Sequence, residues 1–158
     1  MTLKMKKSII SLGIAALLLI VGGSLHSCGF VDFDHSENGQ LDGYWHLVSV
    51  DSLHNGAVTD LSQQRFFWGV QGTLLQFYSP DIQGTRRFVS QFTHQDNRLT
   101  VSEVRYDQRE KGDPVVENIS EIAPFGLNSI TEVFQIDNLS GRSMTLSNNT
   151  LRLRFKKM

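Results

Sequence analysis

The most reactive side chain in this 158-residue sequence is its single cysteine, Cys28, within the stretch SLHSCGFVDFD (24–34). A thiolate can attack an electrophile, ligate a metal or form a disulfide. No second cysteine exists to close a disulfide within the chain. A metal site would need histidines or carboxylates at ligand spacing, and His35, His46, His54 and His94 stand singly. Gly-x-Ser-x-Gly, His-Glu-x-x-His and glycine-rich phosphate-binding patterns do not occur. No metal, no cofactor and no catalysis are therefore expected. A triad gathered from distant residues stays open, because triads are defined by geometry.

The surroundings of Cys28 give its thiol a use. Lys4, Lys6 and Lys7 are the only charges before it, and an uncharged apolar run, IISLGIAALLLIV, fills residues 9–21. That run is shorter than the ~20 residues of a spanning helix, and the small, polar GGSLHS follows it. This order marks a secretory signal; an uncleaved membrane anchor is the alternative. Leu25-His26-Ser27-Cys28 resembles the bacterial lipobox, departing from it at His26. The resemblance implies removal of residues 1–27 and a thioether from Cys28 to diacylglycerol. Acyl chains such as palmitate contribute ~0.8 kcal/mol per buried CH₂, so several anchor durably. The implied location is the bacterial cell envelope. Gly29 stands where an Asp would resemble the inner-membrane retention signal, and Asp32, Asp34 and Glu37 resemble the acidic export signal of Bacteroidetes surface lipoproteins. An outer-membrane lipoprotein is expected, on the periplasmic face or the cell surface.

Setting aside the three early lysines leaves 12 of the 15 Lys and Arg against 16 Asp and Glu, a net charge of −4. A mildly acidic body lacks the basic stripe that phosphate backbones require, so nucleic acid is not expected as a partner. Residues 28–40 read as the lipidated cysteine and a polar tether, reaching at most about 40 Å. Residues 41–158 read as one domain.

That domain is a succession of short alternating runs, with no sustained helical period. They are YWHLVSVD (44–51), RFFWGV (65–70), TLLQFYS (73–79), RRFVSQFTH (86–94), RLTVSEVRYD (98–107), VFQIDNL (133–139), SMTLS (143–147) and LRLRFKK (151–157). The second and third could be two strands or one bulged across Gln71-Gly72. Gln95-Asp96-Asn97 suits a tight hairpin, and Asn148-Asn149 a hairpin with positive φ. Leu99 and Val101 fall out of phase with Val104 and Tyr106, which a β-bulge near Ser102 or Glu103 would restore. Leu151, Leu153 and Phe155 share one face of the last run, and Arg152, Arg154 and Lys156 the other. The fold expected is all-β, an antiparallel barrel or sandwich. The segment 112–132 is the exception, broken by Pro114, Pro124 and Gly126. Its Ser129 and Glu132 resemble a capping box, and a short strand, a helical turn or a loop over a barrel mouth all remain open.

Gly43-Tyr44-Trp45, opening the first run, resembles the Gly-x-Trp signature of lipocalins and the wider calycin group. With the lipobox before it and LRLRFKK at the end, residues 41–157 resemble the small lipocalin-like lipoproteins of Bacteroidetes. The resemblance implies an up-and-down barrel of about eight strands. It also implies that Trp45 plugs the closed end under a basic residue of the last strand, Arg152 or Arg154.

An eight-stranded barrel is either filled by side chains or just holds one small ligand. Phe66, Trp68, Leu75, Phe77, Phe88, Phe92 and Val104 are the candidate lining residues, and core filling is their plain alternative. Glu103 and Arg105 read as exposed charges or as groups at a pocket mouth. Asp51-Ser52-Leu53 resembles the Bacteroidetes O-glycosylation acceptor, with Ser52 as the site. The expected function is binding of a small apolar ligand at the envelope membrane. The alternative is a filled barrel serving as an interaction or accessory module for an envelope protein partner.

Overall fold

A computed structural model describes residues 38–82 and 87–158. Cys28, the signal and most of the tether lie outside them. The strands are β1 (Gly43–Ser52), β2 (Val58–Asp60), β3 (Phe67–Gln71), β4 (Leu74–Tyr78), β5 (Arg87–Gln95), β6 (Arg98–Val101), β7 (Arg105–Tyr106), β8 (Glu132–Leu139), β9 (Ser143–Ser147) and β10 (Leu151–Lys157). All strand pairings are antiparallel and, with the short β2 and β7 set aside, follow chain order, and β10 returns to pair with β1 from Trp45↔Lys157 to Ser52↔Leu151. The sheet is closed. Its wall has eight staves, because β2 and β3 both line one edge of β1 and β6 and β7 both line one edge of β5.

Local sequence accounts for the turns and the slip. Gln71 pairs with Leu74, so β3 and β4 are two strands joined across Gly72-Thr73. Gln95 pairs with Arg98, and Asp96 and Asn97 take φ of 52° and 59°, as a two-residue type I′ turn requires. From Phe92↔Val101 to Val89↔Arg105 the chain steps three residues along β5 but four along its partner. The extra residue is the bulge expected near Ser102, and it keeps Leu99, Val101 and Val104 all buried inside. At the β9–β10 hairpin the expected positive φ is absent from Asn148 and Asn149. The Asn148 side chain instead accepts from the amides of Thr150 (2.8 Å) and Leu151 (2.7 Å), an Asx-type closure that needs no left-handed residue.

One end of the barrel is shut by a 3₁₀ turn, Gly39–Leu41, which buries Leu41 beneath Trp45. Asn38 ties this turn down by donating to the Gly72 carbonyl at 2.7 Å, so residues 38–40, expected in the tether, pack with the barrel. The other end is shut by the segment 107–131. It makes a single bridge, Arg105↔Val115, and then 3₁₀ turns at Ile119–Glu121 and Ala123–Phe125. Val116, Ile122, Phe125 and Leu127 are buried from it. Of the three outcomes open for this segment, it is a loop folded into the barrel mouth.

Gly43 holds φ at +129°, and a Cβ there would lie 2.7 Å from Cε of Lys157. Both demands favour glycine: such φ is costly for other residues, by about 1–3 kcal/mol. Gly43→Ala should lower unfolding free energy by that amount in urea titration; an unchanged midpoint would show that the turn relaxes without strain.

Candidate functional site

At the end closed by the Gly39–Leu41 turn, Trp45 is fully buried and its indole Nε1 donates to the Leu41 carbonyl at 2.7 Å. The cation over its ring is Lys157, with Nζ 4.8 Å from the ring centroid. Nζ also donates to the Gln40 carbonyl at 3.0 Å. The expectation of Arg152 or Arg154 is thereby corrected. Both arginines project from the outer face of β10, where Arg152 lies 3.6 Å from Asp137 and Arg154 pairs with Asp51. Trp45 points inward, and its register partner is Lys157, two residues beyond Phe155 on the inner face. Gly43 leaves the space through which the lysine stem passes.

Inside, an aromatic row crosses five staves in register: Trp45↔Trp68, Trp68↔Phe77, Phe77↔Phe88 and Phe88↔Tyr106. Phe66, Trp68, Leu75, Phe77, Phe88, Phe92 and Val104 are all buried. Trp68 sits at the centre, edge-on to Phe77 (5.0 Å), Phe155 (5.1 Å) and Phe134 (6.0 Å). The inserted segment completes the packing. Phe125 meets Phe66 at 5.4 Å, Phe88 at 5.9 Å and Phe77 at 6.0 Å, and its carbonyl accepts from Trp68 Nε1 at 3.1 Å. Such edge-to-face pairs add ~0.5–1.5 kcal/mol each beyond area burial. Among the described residues, every buried side-chain nitrogen and oxygen has a hydrogen-bond partner. Sequence reading missed Phe125 and Lys157. Parity along β10 could have found Lys157; nothing local marks Phe125 as reaching the core.

Outside, His46, Phe67, Tyr78 and Arg87 form a second register row. Tyr44 stacks on Phe67 at 5.1 Å and Arg87 lies over Tyr78 at 5.1 Å. His46 Nε2 is bonded to the Gln64 carbonyl at 2.6 Å, and no cluster of metal-ligating side chains occurs among the described residues. Glu103 and Arg105 pair with each other at the surface, on the rim of an open hollow of about 440 Å³ that also takes in Leu74, Val89 and Ser90. Ser52 ends β1, half-buried, with exposed Leu53 after it.

The loop returning to β8 is organised by Glu132, whose carboxylate accepts from the Asn128 amide at 2.9 Å and from the Asn148 side chain. The expected capping box thus bonds backbone amides without any helix. Burial pushes the Glu132 carboxyl above its usual range, against the opposing pull of the amides of Asn128 and Ser129 and the side chain of Asn148. Its ionised form is therefore less favoured in the folded chain than in the unfolded one. As pH falls from neutral towards the ordinary Glu range, the folded state takes up this proton first and gains stability relative to the unfolded state. Wild type should accordingly gain on Glu132→Gln over pH 7 to about 4.5 in paired urea titrations. Parallel stability curves would show that Glu132 is effectively solvated.

Residues 23–158 match the profile of the lipocalin-like domain family. A lipocalin-like protein from Bacteroides uniformis superposes with a TM-score of 0.58 at 17% identity, covering 76% of this chain and 100% of its own. An uncharacterised protein from Bacteroides eggerthii gives 0.58 at 18% identity, covering 74% of this chain and 98% of its own. No protein of curated function matches. At these identities the two structures bear on fold alone, whereas the profile spans the whole barrel: the chain belongs to the lipocalin-like domain family.

Proposed function

We propose that this chain is a membrane-anchored lipoprotein of the bacterial outer membrane whose barrel takes up a small, largely apolar ligand. The observation that carries the reading is the construction of the mouth. The interior wall is aromatic and aliphatic in its middle staves save for Ser90, whose hydroxyl is bonded to the Gln91 and Ser102 carbonyls, and the end opposite Trp45 is closed by an inserted loop instead of by the wall. Apolar interiors with a few placed polar groups are the usual seats of small ligands. The lipobox-like LHSC and the charged start support acylation of Cys28 after loss of residues 1–27. Ser52, at the end of β1 beside an exposed turn, is the proposed O-glycan acceptor. Catalysis forms no part of this reading.

A second reading rests on the outer row. Tyr44, Phe67 and Tyr78 present aromatic faces on the barrel exterior, the sort of surface a protein partner covers. On that reading the barrel is a solid module of an envelope complex.

Native mass spectrometry of the lipidated protein, extracted gently from its own envelope, separates the two. A co-purifying small molecule lost on denaturation is expected. A bare mass, with an envelope protein recovered by pull-down, would favour the interaction module. The same spectra should show the acyl mass on wild type and its loss in Cys28→Ser; an unaltered mass in that variant would remove the lipoprotein assignment.

A further inference from the structure

Among the described residues, Phe125 is an interior aromatic side chain carried neither by a strand nor, as Phe66 is, by the residue next to one. It rides on Ala123–Phe125, a 3₁₀ turn with Pro124 inside it and Gly126 ending it at φ +84°. A Cβ on Gly126 would fall 2.6 Å from Cδ2 and 2.9 Å from Cδ1 of Leu153, so only glycine lets the turn seat this deeply. The two stems of the segment are pinned to the wall: Val116 donates to Val104 (3.0 Å), and Val104 donates to Ile130 (2.9 Å). Between the stems, the backbone bonds run within the segment itself. Glu121 to Asn118, Ile122 to Ile119, Phe125 to Ile122 and Gly126 to Ala123 all close local turns. A unit bonded in this way can leave the mouth as one body without breaking its own backbone bonds.

Seated, the turn delivers two things to the barrel centre. One is a phenyl ring among Phe66, Phe77 and Phe88. The other is a carbonyl oxygen for the buried Trp68 Nε1–H. Unseating it empties an apolar ring-sized site and strips that indole of its acceptor. A buried donor left without a partner is costly. We propose that residues 117–127, between the two stems, form a gate in which Phe125 mimics the ligand, and that Trp68 Nε1–H is the specificity-determining donor. The ligand is then a flat, ring-bearing apolar molecule with an acceptor oxygen next to the ring. This rests on the ligand-binding reading above and adds the ligand's chemical class and the route of entry.

Acetophenone and ethylbenzene test it, because they share ring and size and differ in the acceptor oxygen. Each is titrated into the full-length lipidated protein, wild type and Gly126→Ala, following the Trp68 indole N–H resonance assigned with Trp68→Phe. Gly126→Ala crowds Leu153 and unseats the gate, relieving the closed-state penalty on binding. It should bind acetophenone at least about tenfold more tightly than wild type does. It should also prefer acetophenone to ethylbenzene by about tenfold, the discrimination expected of an unpaired buried donor, with a shifted Trp68 resonance. Should Gly126→Ala not fold, wild type at saturating probe carries the same comparison of affinities and of the Trp68 resonance. Equal affinities, an unmoved Trp68 resonance, or binding of neither probe overturns the gate. If native mass spectrometry nonetheless recovers a bound ligand, the binding reading stands and only the gate falls; a bare native mass with neither probe bound removes both.

Discussion

The pairing of β10 with β1 is the constraint from which the rest of this structure follows. Running from Trp45↔Lys157 to Ser52↔Leu151, it pairs the first long strand with the last and closes the barrel, leaving only the short β2 and β7 with a single strand partner. Closure at eight staves also sets the bore, which is narrow enough for side chains to fill. Every inward residue then meets residues from strands far away in sequence. Trp68 touches Phe77, Phe134 and Phe155, partners that an open sheet would hold apart. With no disulfide available to the described domain, this packing is its main source of stability.

The two ends are closed by different physics. At one, the N-terminal turn, Trp45, Gly43 and Lys157 interlock, and each needs the others: the lysine reaches the indole only because Gly43 has no side chain. That end belongs to the wall. At the other end a loop supplies the apolar groups. Its aromatic contacts are comparable in kind to those of the wall, but its turns are bonded mostly to themselves. Glu132 braces the return to β8, keeping a partly buried carboxylate at some cost in solvation. An end held by its own strands is a floor, and an end held by a self-contained loop can serve as a door.

The fold was largely legible because strand signals are local. Alternation in LRLRFKK, the Asp96-Asn97 turn and the phase slip at 102–103 each depend on residues within a few positions of one another, and the structure has all three. Parity in the last strand even held the identity of Trp45's cation. Leu153 and Phe155 face inward with Trp45, so Lys157 shares their side and the two arginines cannot. The Gly-x-Trp likeness drew attention to the arginines, and inner-face counting corrects it. The β9–β10 turn was misread because asparagine closes turns by two routes, backbone φ or side-chain acceptance, and composition does not distinguish them.

By itself the sequence determined the class of fold, the approximate strands and the inward faces, since these rest on residue type and short-range periodicity. Only the tertiary structure decided what fills the barrel. The segment 112–132 has no period to read, and Phe125 lies 57 residues from the indole its carbonyl meets. Contacts of that separation exist only once the sheet has closed and the mouth has a shape to receive the loop. Closure is a property of all eight staves together, and no local stretch carries it.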